Sequence, residues 1–391
     1  MDKIGIEPFG EKMTVKRVLG NIKGENGTPT VIVIAGMHGN ETAGIHAVKK
    51  VLQKIDTQKI QFKGNFYVIA GNLNALQKNI RFEKADLNRL WTLENIEYIK
   101  SSKNGFNADV KEQIAIYEYV KMILATNDGP FYFIDLHTTS ADTTPFITIS
   151  DSLNNRKFSS NFSIPIVLGI EEYLEGPLLT YINEFGHVAL GFEGGQHNDE
   201  ESIDNCVAFV WLALQASGCI LKSQIKELNS FKNTLLAHSK KRNFYEIDYR
   251  YLINDKEDFR MVNGFNNFEK ITKNQVLALS NTVEIKANMD GMIFMPLYQD
   301  QGNDGFFIIT KISNIWLQVS TVVRKMKLNH LLRMLPGIKI DSVHRHTLIV
   351  NPKTAKFLAI QIFHLFGYRK QVIKDNKLHF IKRDRKVSEF K

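Results

Sequence analysis

The sequence is poor in cysteine: 391 residues hold only Cys206 and Cys219. Two thiols cannot build the disulfide framework that staples small secreted domains, and they suit a reducing compartment. The first residues, MDKIGIEPFGEKMTVKR, lack the apolar stretch of a secretory signal. No apolar run is long enough to cross a bilayer. Low-complexity tracts and internal repeats are also missing. These absences lead us to expect a cytoplasmic globular protein with no membrane partner.

At 43% hydrophobic and 23% charged residues, the composition is that of an ordinary folded protein. The length exceeds what one small core needs, so two domains with an appendage are expected. Net charge is +9, and the excess gathers after Val323, in VVRKMKLNHLLRM, VHRH and FIKRDRK. A basic balance can serve nucleic acid or an anionic substrate. No nucleic-acid-binding motif appears, so nucleic acid is not an expected partner. The simplest reading of the basic tail is a solvated surface. Self-association is left open.

Short apolar runs rich in Val, Ile, Phe and Tyr at 31–35, 65–70, 131–136, 164–170 and 187–193 read as buried strands. Helical patterns lie between and after them, at 42–55, 110–124 and 202–216; the last is apolar almost all round and is expected to be buried. Strands alternating with helices predict an α/β domain with a parallel or mixed sheet over residues 1–221. Residues 222–243 read as a linker that could be helical. Short strands between Asn, Asp and Gly turns predict a small β domain over 244–314. A basic α+β appendage follows over 315–391, with a helical pattern at 354–368 and a hairpin around 374–377.

The stretch VIVIAGMHGNETAG (31–44) ends a buried strand on His38 and Glu41. Functional groups collect where strands of an open α/β sheet end, and imidazole and carboxylate both bind zinc. Gly36 and Gly39 would let the backbone bend there. The alternative is a surface histidine beside a first-turn helix glutamate. A second strand, FYFIDLHTTS, ends on His137. Two histidines and a glutamate give three ligands and an open fourth position, the layout of a catalytic zinc site. Asp135, two residues before His137, faces the same side of the strand and could orient a ligand; it could equally be an ordinary strand-end carboxylate. Glu193 ends the strand HVALGFE, where partial desolvation would raise its pKa towards that of a general base; a salt-bridged glutamate is the alternative. His197 suits a flanking loop role. Arg81, Asn88 and Arg89 lie in a polar connection suited to gripping carboxylates, with structural salt bridges as the competing explanation.

GMHGNE, RFEKADLNR, DLHTTS and FEGG, in this order and spacing, resemble the succinylglutamate desuccinylase/aspartoacylase family. The resemblance is strong over about 28–220 and looser to about 313, where DGMIFMPLYQDQGNDGFFI looks like the family's C-terminal β domain. It implies a zinc-carboxypeptidase-like mixed sheet flanked by helices and one Zn2+ per chain held by His38, Glu41 and His137. It implies Glu193 as the general base, Arg81 polarising the scissile carbonyl, and Asn88 and Arg89 clamping a substrate α-carboxylate. The implied activity is hydrolysis of the amide of a small anionic N-acyl amino acid. The alternative is a metallocarboxypeptidase acting on short peptides. The sequence after Glu193, GGQHNDEES, departs from the aspartoacylases proper, so the resemblance gives a reaction class and not a substrate.

Overall fold

The computed structural model describes residues 3–102, 104–238, 242–342, 344, 346–351, 360–374, 376–388 and 390. Its backbone is a mixed sheet of eleven strands. In chain order these are β1 (Val18–Ile22), β2 (Thr30–Ala35), β3 (Asn65–Ala70), β4 (Phe131–Thr139), β5 (Phe146–Ile149), β6 (Ile166–Leu168), β7 (Val188–Gln196), β8 (Phe244–Leu252), β9 (Lys270–Ile271), β10 (Gly291–Phe294) and β11 (Asp304–Lys311). Across the sheet they run β9-β10-β11-β8-β6-β5-β7-β4-β2-β3-β1. The middle, β3-β2-β4-β7, is parallel, and β5 meets β7 antiparallel.

Alternation explains why β2 is apolar from Val31 to Ala35. Val31, Val33 and Ala35 face one layer, with Ile45 and Val48 of the helix Ala43–Gln58 and Phe209 of the helix Glu200–Ala216. Ile32 and Ile34 face the other, with Ile116 and Val120 of the helix Ala108–Thr126. Both faces are covered; the one polar position, Thr30 at the start of the strand, is satisfied by donating its hydroxyl to the Asp128 carbonyl at 3.1 Å. Each fully buried Val or Ile here contributes about 1.5–3 kcal/mol. The flanking helices carry their own start signals: Asn107 accepts from the Val110 amide, and Asp199 from that of Glu201.

The helix Glu200–Ala216 is buried along most of its length, as its composition implied. Residues 222–243 carry the helix Leu228–His238, which lies on it with Phe231 stacked on Trp211; residues 239–241 lie outside the described part. The strands of 244–314 divide between two sheets. Three form a small antiparallel sheet. The others extend the central sheet, because β8 hydrogen-bonds in parallel to β6.

Beyond residue 314 come the helix Asn314–Lys325 and a four-stranded antiparallel sheet. Its last two strands, Tyr368–Lys374 and Lys377–Lys382, form the hairpin predicted around 374–377. Of the helical pattern at 354–368, Ile360–Leu365 is helical and 354–359 lie outside the described residues. The basic tail is not simply a solvated surface. Arg324, Arg369 and Arg383 are buried. Arg324 and Arg369 converge with Arg156 on the buried carboxylate of Asp151. Charge counting located these arginines but could not tell that they would be buried. Among the described residues no helix is long and apolar enough to cross a membrane.

Candidate metal centre

The site forms where β2, β4 and β7 end. Gly36, with φ of 72°, turns the chain off β2 in the left-handed region open to glycine. Gly39 serves closeness rather than bending. A Cβ there would lie 2.1 Å from the Ala75 carbonyl carbon, and its amide donates to the Arg81 carbonyl at 3.2 Å. That contact seats the His38–Glu41 turn against the connection carrying Arg81. The connection is itself pinned by Asp109, a fully buried carboxylate that accepts the backbone amides of Glu83, Lys84 and Ala85.

His38, Glu41 and His137 are all buried, and one ligand atom from each lies within 4.8 Å of the others. Both imidazoles turn Nδ1 to the Glu41 carboxylate, His38 at 2.7 Å and His137 at 2.8 Å. Both turn Nε2 to another carboxylate. His38 Nε2 lies 3.1 Å from Asp86 Oδ1, and His137 Nε2 lies 2.8 Å from Asp135 Oδ2. Carboxylates behind the outer nitrogens are the usual arrangement for ligand histidines, fixing the ring and its tautomer. The donor set of two nitrogens and one carboxylate suits zinc. Asp135 thus stands beside His137 as strand alternation required.

The electrostatics follow from burial opposed by pairing. Burial resists ionisation of Glu41, but His38 and His137 outweigh it and hold the carboxyl well below its usual range. Burial likewise disfavours charged His137, and Asp135 with Glu41 overrides it, raising its pKa well above the ordinary value. For Glu193 burial is not outweighed by the opposing pull of His137 and Arg81. Burial pushes it up to about 8, and its Oε2 has no hydrogen-bond partner among the described residues.

Arg81 reaches Glu41 with Nη1 at 3.2 Å and Asp86 with Nη2 at 3.3 Å, while its buried Nε has no partner among the described residues. Asp86 caps the short turn Leu87–Arg89 by accepting from the Asn88 amide. Asn88 Oδ1 accepts from the Leu178 amide at 3.0 Å, which leaves its side-chain nitrogen for a ligand. Arg89 Nη2 donates to Asp304 at 2.9 Å, and its Nε is buried and unpartnered among the described residues. All the residues singled out in the sequence line one cavity of about 130 Å³, except Asp135, which stands behind His137, and His197. His197 Nδ1 meets the Thr138 hydroxyl at 2.7 Å, at the cavity edge. Sequence reasoning missed Asp86, Asp304 and Arg250. Asp86 lay in the quoted connection among other charges; the other two come from β11 and β8, with no local signal.

Residues 27–209 match the family model described as the succinylglutamate desuccinylase/aspartoacylase catalytic domain. Over these residues the chain is similar to that family. A succinylglutamate desuccinylase of Photorhabdus laumondii is 30% identical over 121 residues, 31% of this chain and 37% of the relative. An aspartoacylase of Xenopus tropicalis is 26% identical over 146 residues, 36% of this chain and 42% of the relative. The chain therefore spans well under half the length of these desuccinylase/aspartoacylase relatives. The fold likeness reaches further. A crystal structure of succinylglutamate desuccinylase from Vibrio cholerae aligns with TM-score 0.57 at 16% identity, covering 80% of this chain and 91% of that one.

Proposed function

We propose that this chain is a member of that family and a zinc-dependent amide hydrolase that releases a carboxylate from an N-acyl amino acid or related small amide. The observation that carries the reading is a pair of buried imidazoles meeting one carboxylate, with the desolvated Glu193 beside them. His38 Nδ1, Glu41 and His137 Nδ1 would hold the metal. When bound, zinc supplies a Lewis acid that polarises the amide carbonyl and lowers the pKa of water to about 7.

Glu193 takes a proton from the attacking water as the new C–O bond forms. It returns that proton to the amine nitrogen as the C–N bond breaks. Arg81 is held by Glu41 and Asp86 with Nε free, so it can donate to the carbonyl oxygen as negative charge develops there. Arg89 and the Asn88 amide nitrogen grip the α-carboxylate. Asp86 and Asp135 keep the imidazoles aligned. The runner-up, a metallocarboxypeptidase, needs an open cleft. Residues 295–304 roof this cavity, and its volume suits a small amide better than a peptide.

The test is amine release from a panel of N-acyl amino acids. Hydrolysis should stop with chelator and return with zinc. Hydrolysis indifferent to chelation, or absent across the panel, would overturn the reading.

A further inference from the structure

We infer that the substrate carries a single carboxylate, and that the rest of its amino-acid half is uncharged and apolar. The inference rests on the amidohydrolase reading and comes from the residues that meet at Asp304.

Asp304 opens β11 and lines the cavity. Its two oxygens are shared between two guanidiniums: Oδ2 accepts from Arg89 Nη2 at 2.9 Å, and Oδ1 from Arg250 Nε at 2.5 Å. Two positive groups and one negative leave this end with one unit of positive charge. Of the other charged residues lining the cavity, Arg81, the second cation, is already paired with Glu41 and Asp86, and Glu193 only adds negative charge. One substrate carboxylate, on the unpartnered Arg89 Nε and its neighbour Asn88, therefore neutralises the clamp.

A second carboxylate has no such place. It would meet the Asp304 oxygens, the apolar side chains of Ile149, Leu174, Leu179, Met295, Leu297 and Phe307, or neutral groups such as Thr148, Ser150 and Thr180, none of which supplies a positive charge. Taking an unpaired carboxylate from water into such surroundings is costly, whereas an apolar side chain gains there. Asp304 is thus a specificity-determining residue. It spends part of the positive field of Arg89 and Arg250 that a dicarboxylic substrate would require.

The experiment compares kcat/KM of the zinc-loaded enzyme for N-acetylleucine and N-acetylmethionine with that for N-acetylaspartate, N-acetylglutamate and N-succinylglutamate. The monocarboxylates should lead by about tenfold or more. Asp304→Asn, which raises the net charge of the clamp to two, should move that ratio towards the dicarboxylates by about tenfold. Calorimetry with metal-free protein gives a reading that needs no turnover and no variant: free leucine should bind more tightly than free aspartate or glutamate. Dicarboxylates cleaved as fast as the monocarboxylates, or aspartate bound as tightly as leucine, would overturn the inference and leave the hydrolase intact. Failure to cleave any member of the panel would remove the hydrolase reading itself.

Discussion

His137 and Glu193 are register partners on adjacent parallel strands, β4 and β7. Pairing fixes their separation by the ladder rather than by loop geometry, so the proposed ligand and the proposed base are set side by side by the sheet itself. Glu193 contributes nothing to the imidazole–carboxylate cluster. Glu193→Gln should therefore keep metal content and thermal stability while turnover falls by roughly 10²–10⁴-fold. Activity close to that of the parent would place the base elsewhere.

Metal analysis should find about one zinc per chain, and His38→Ala or His137→Ala should strip it. The carboxylates behind the rings give a finer test. Asp86→Asn and Asp135→Asn remove no ligand, yet each should weaken zinc affinity by about 10- to 100-fold in chelator competition. Unchanged affinity in both would mean that the rings are oriented by other contacts.

Arg81 and Arg89 should separate kinetically. In the proposed reaction Arg89 would hold a group that does not react, so Arg89→Lys should mainly raise KM, since lysine keeps the charge but loses the fork. Arg81 would act on the carbonyl as charge develops, so Arg81→Lys should mainly lower kcat. An amidated α-carboxylate should make a poor substrate for the parent and one hardly worse for the Arg89 variant. If the parent treats acid and amide alike, there is no clamp.

The ion pairs between the C-terminal segment and the sheet predict a pH window for stability. Burial opposes ionisation of Glu172, but Arg369 and His364 outweigh it and hold its pKa at about 2. A depressed carboxylate contributes fully above its unfolded value of about 4.3 and loses that contribution as pH falls towards 2. His364 is shifted the other way: burial is outweighed by Glu172 and Glu246, and its pKa is raised. Its contribution is complete below about 6.5 and fades as pH rises through the folded value. Melting temperature should therefore peak at about pH 5–6, and Glu172→Gln should flatten both arms. A melting profile that is level from pH 3 to 9 would contradict this.

Asp151 should be the costliest single carboxylate to lose. Asp151→Ala leaves Arg156, Arg324 and Arg369 buried around a gap, and breaking such a cluster typically costs about 3–5 kcal/mol. Denaturant titration measures it; a loss below 1 kcal/mol would mean that water enters and solvates the three arginines.

What could be read in the sequence was what neighbours in the chain encode. The run at 31–35 announces a strand covered on both faces, and His38 and Glu41 sit in one turn. Asp304 and Arg250 meet Arg89 only because β8 and β11 pair far along the chain, and no local pattern carries that. Strand β5 has four residues, too few to display a period. Asp109 looks like any first-turn helix acid until the loop it pins is seen. Composition counted the basic residues of the tail without distinguishing Arg369, which is 2% exposed, from lysines in water.

The continuity of the central sheet bears on how the cavity fills and empties. Its roof hangs between β10 and β11, and those strands belong to the same hydrogen-bonded ladder as the floor, through β8 and β6. A swinging cap would have to tear that ladder, so the gate must be local. The roof is tied to the wall by Gln301, which accepts from the Arg81 amide at 3.0 Å and donates to the Phe82 carbonyl at 3.0 Å, and by Gln299, which accepts from Asn40 at 2.9 Å. If Arg81 polarises the carbonyl as proposed, a ligand that entered by parting this loop would also loosen the backbone that carries Arg81.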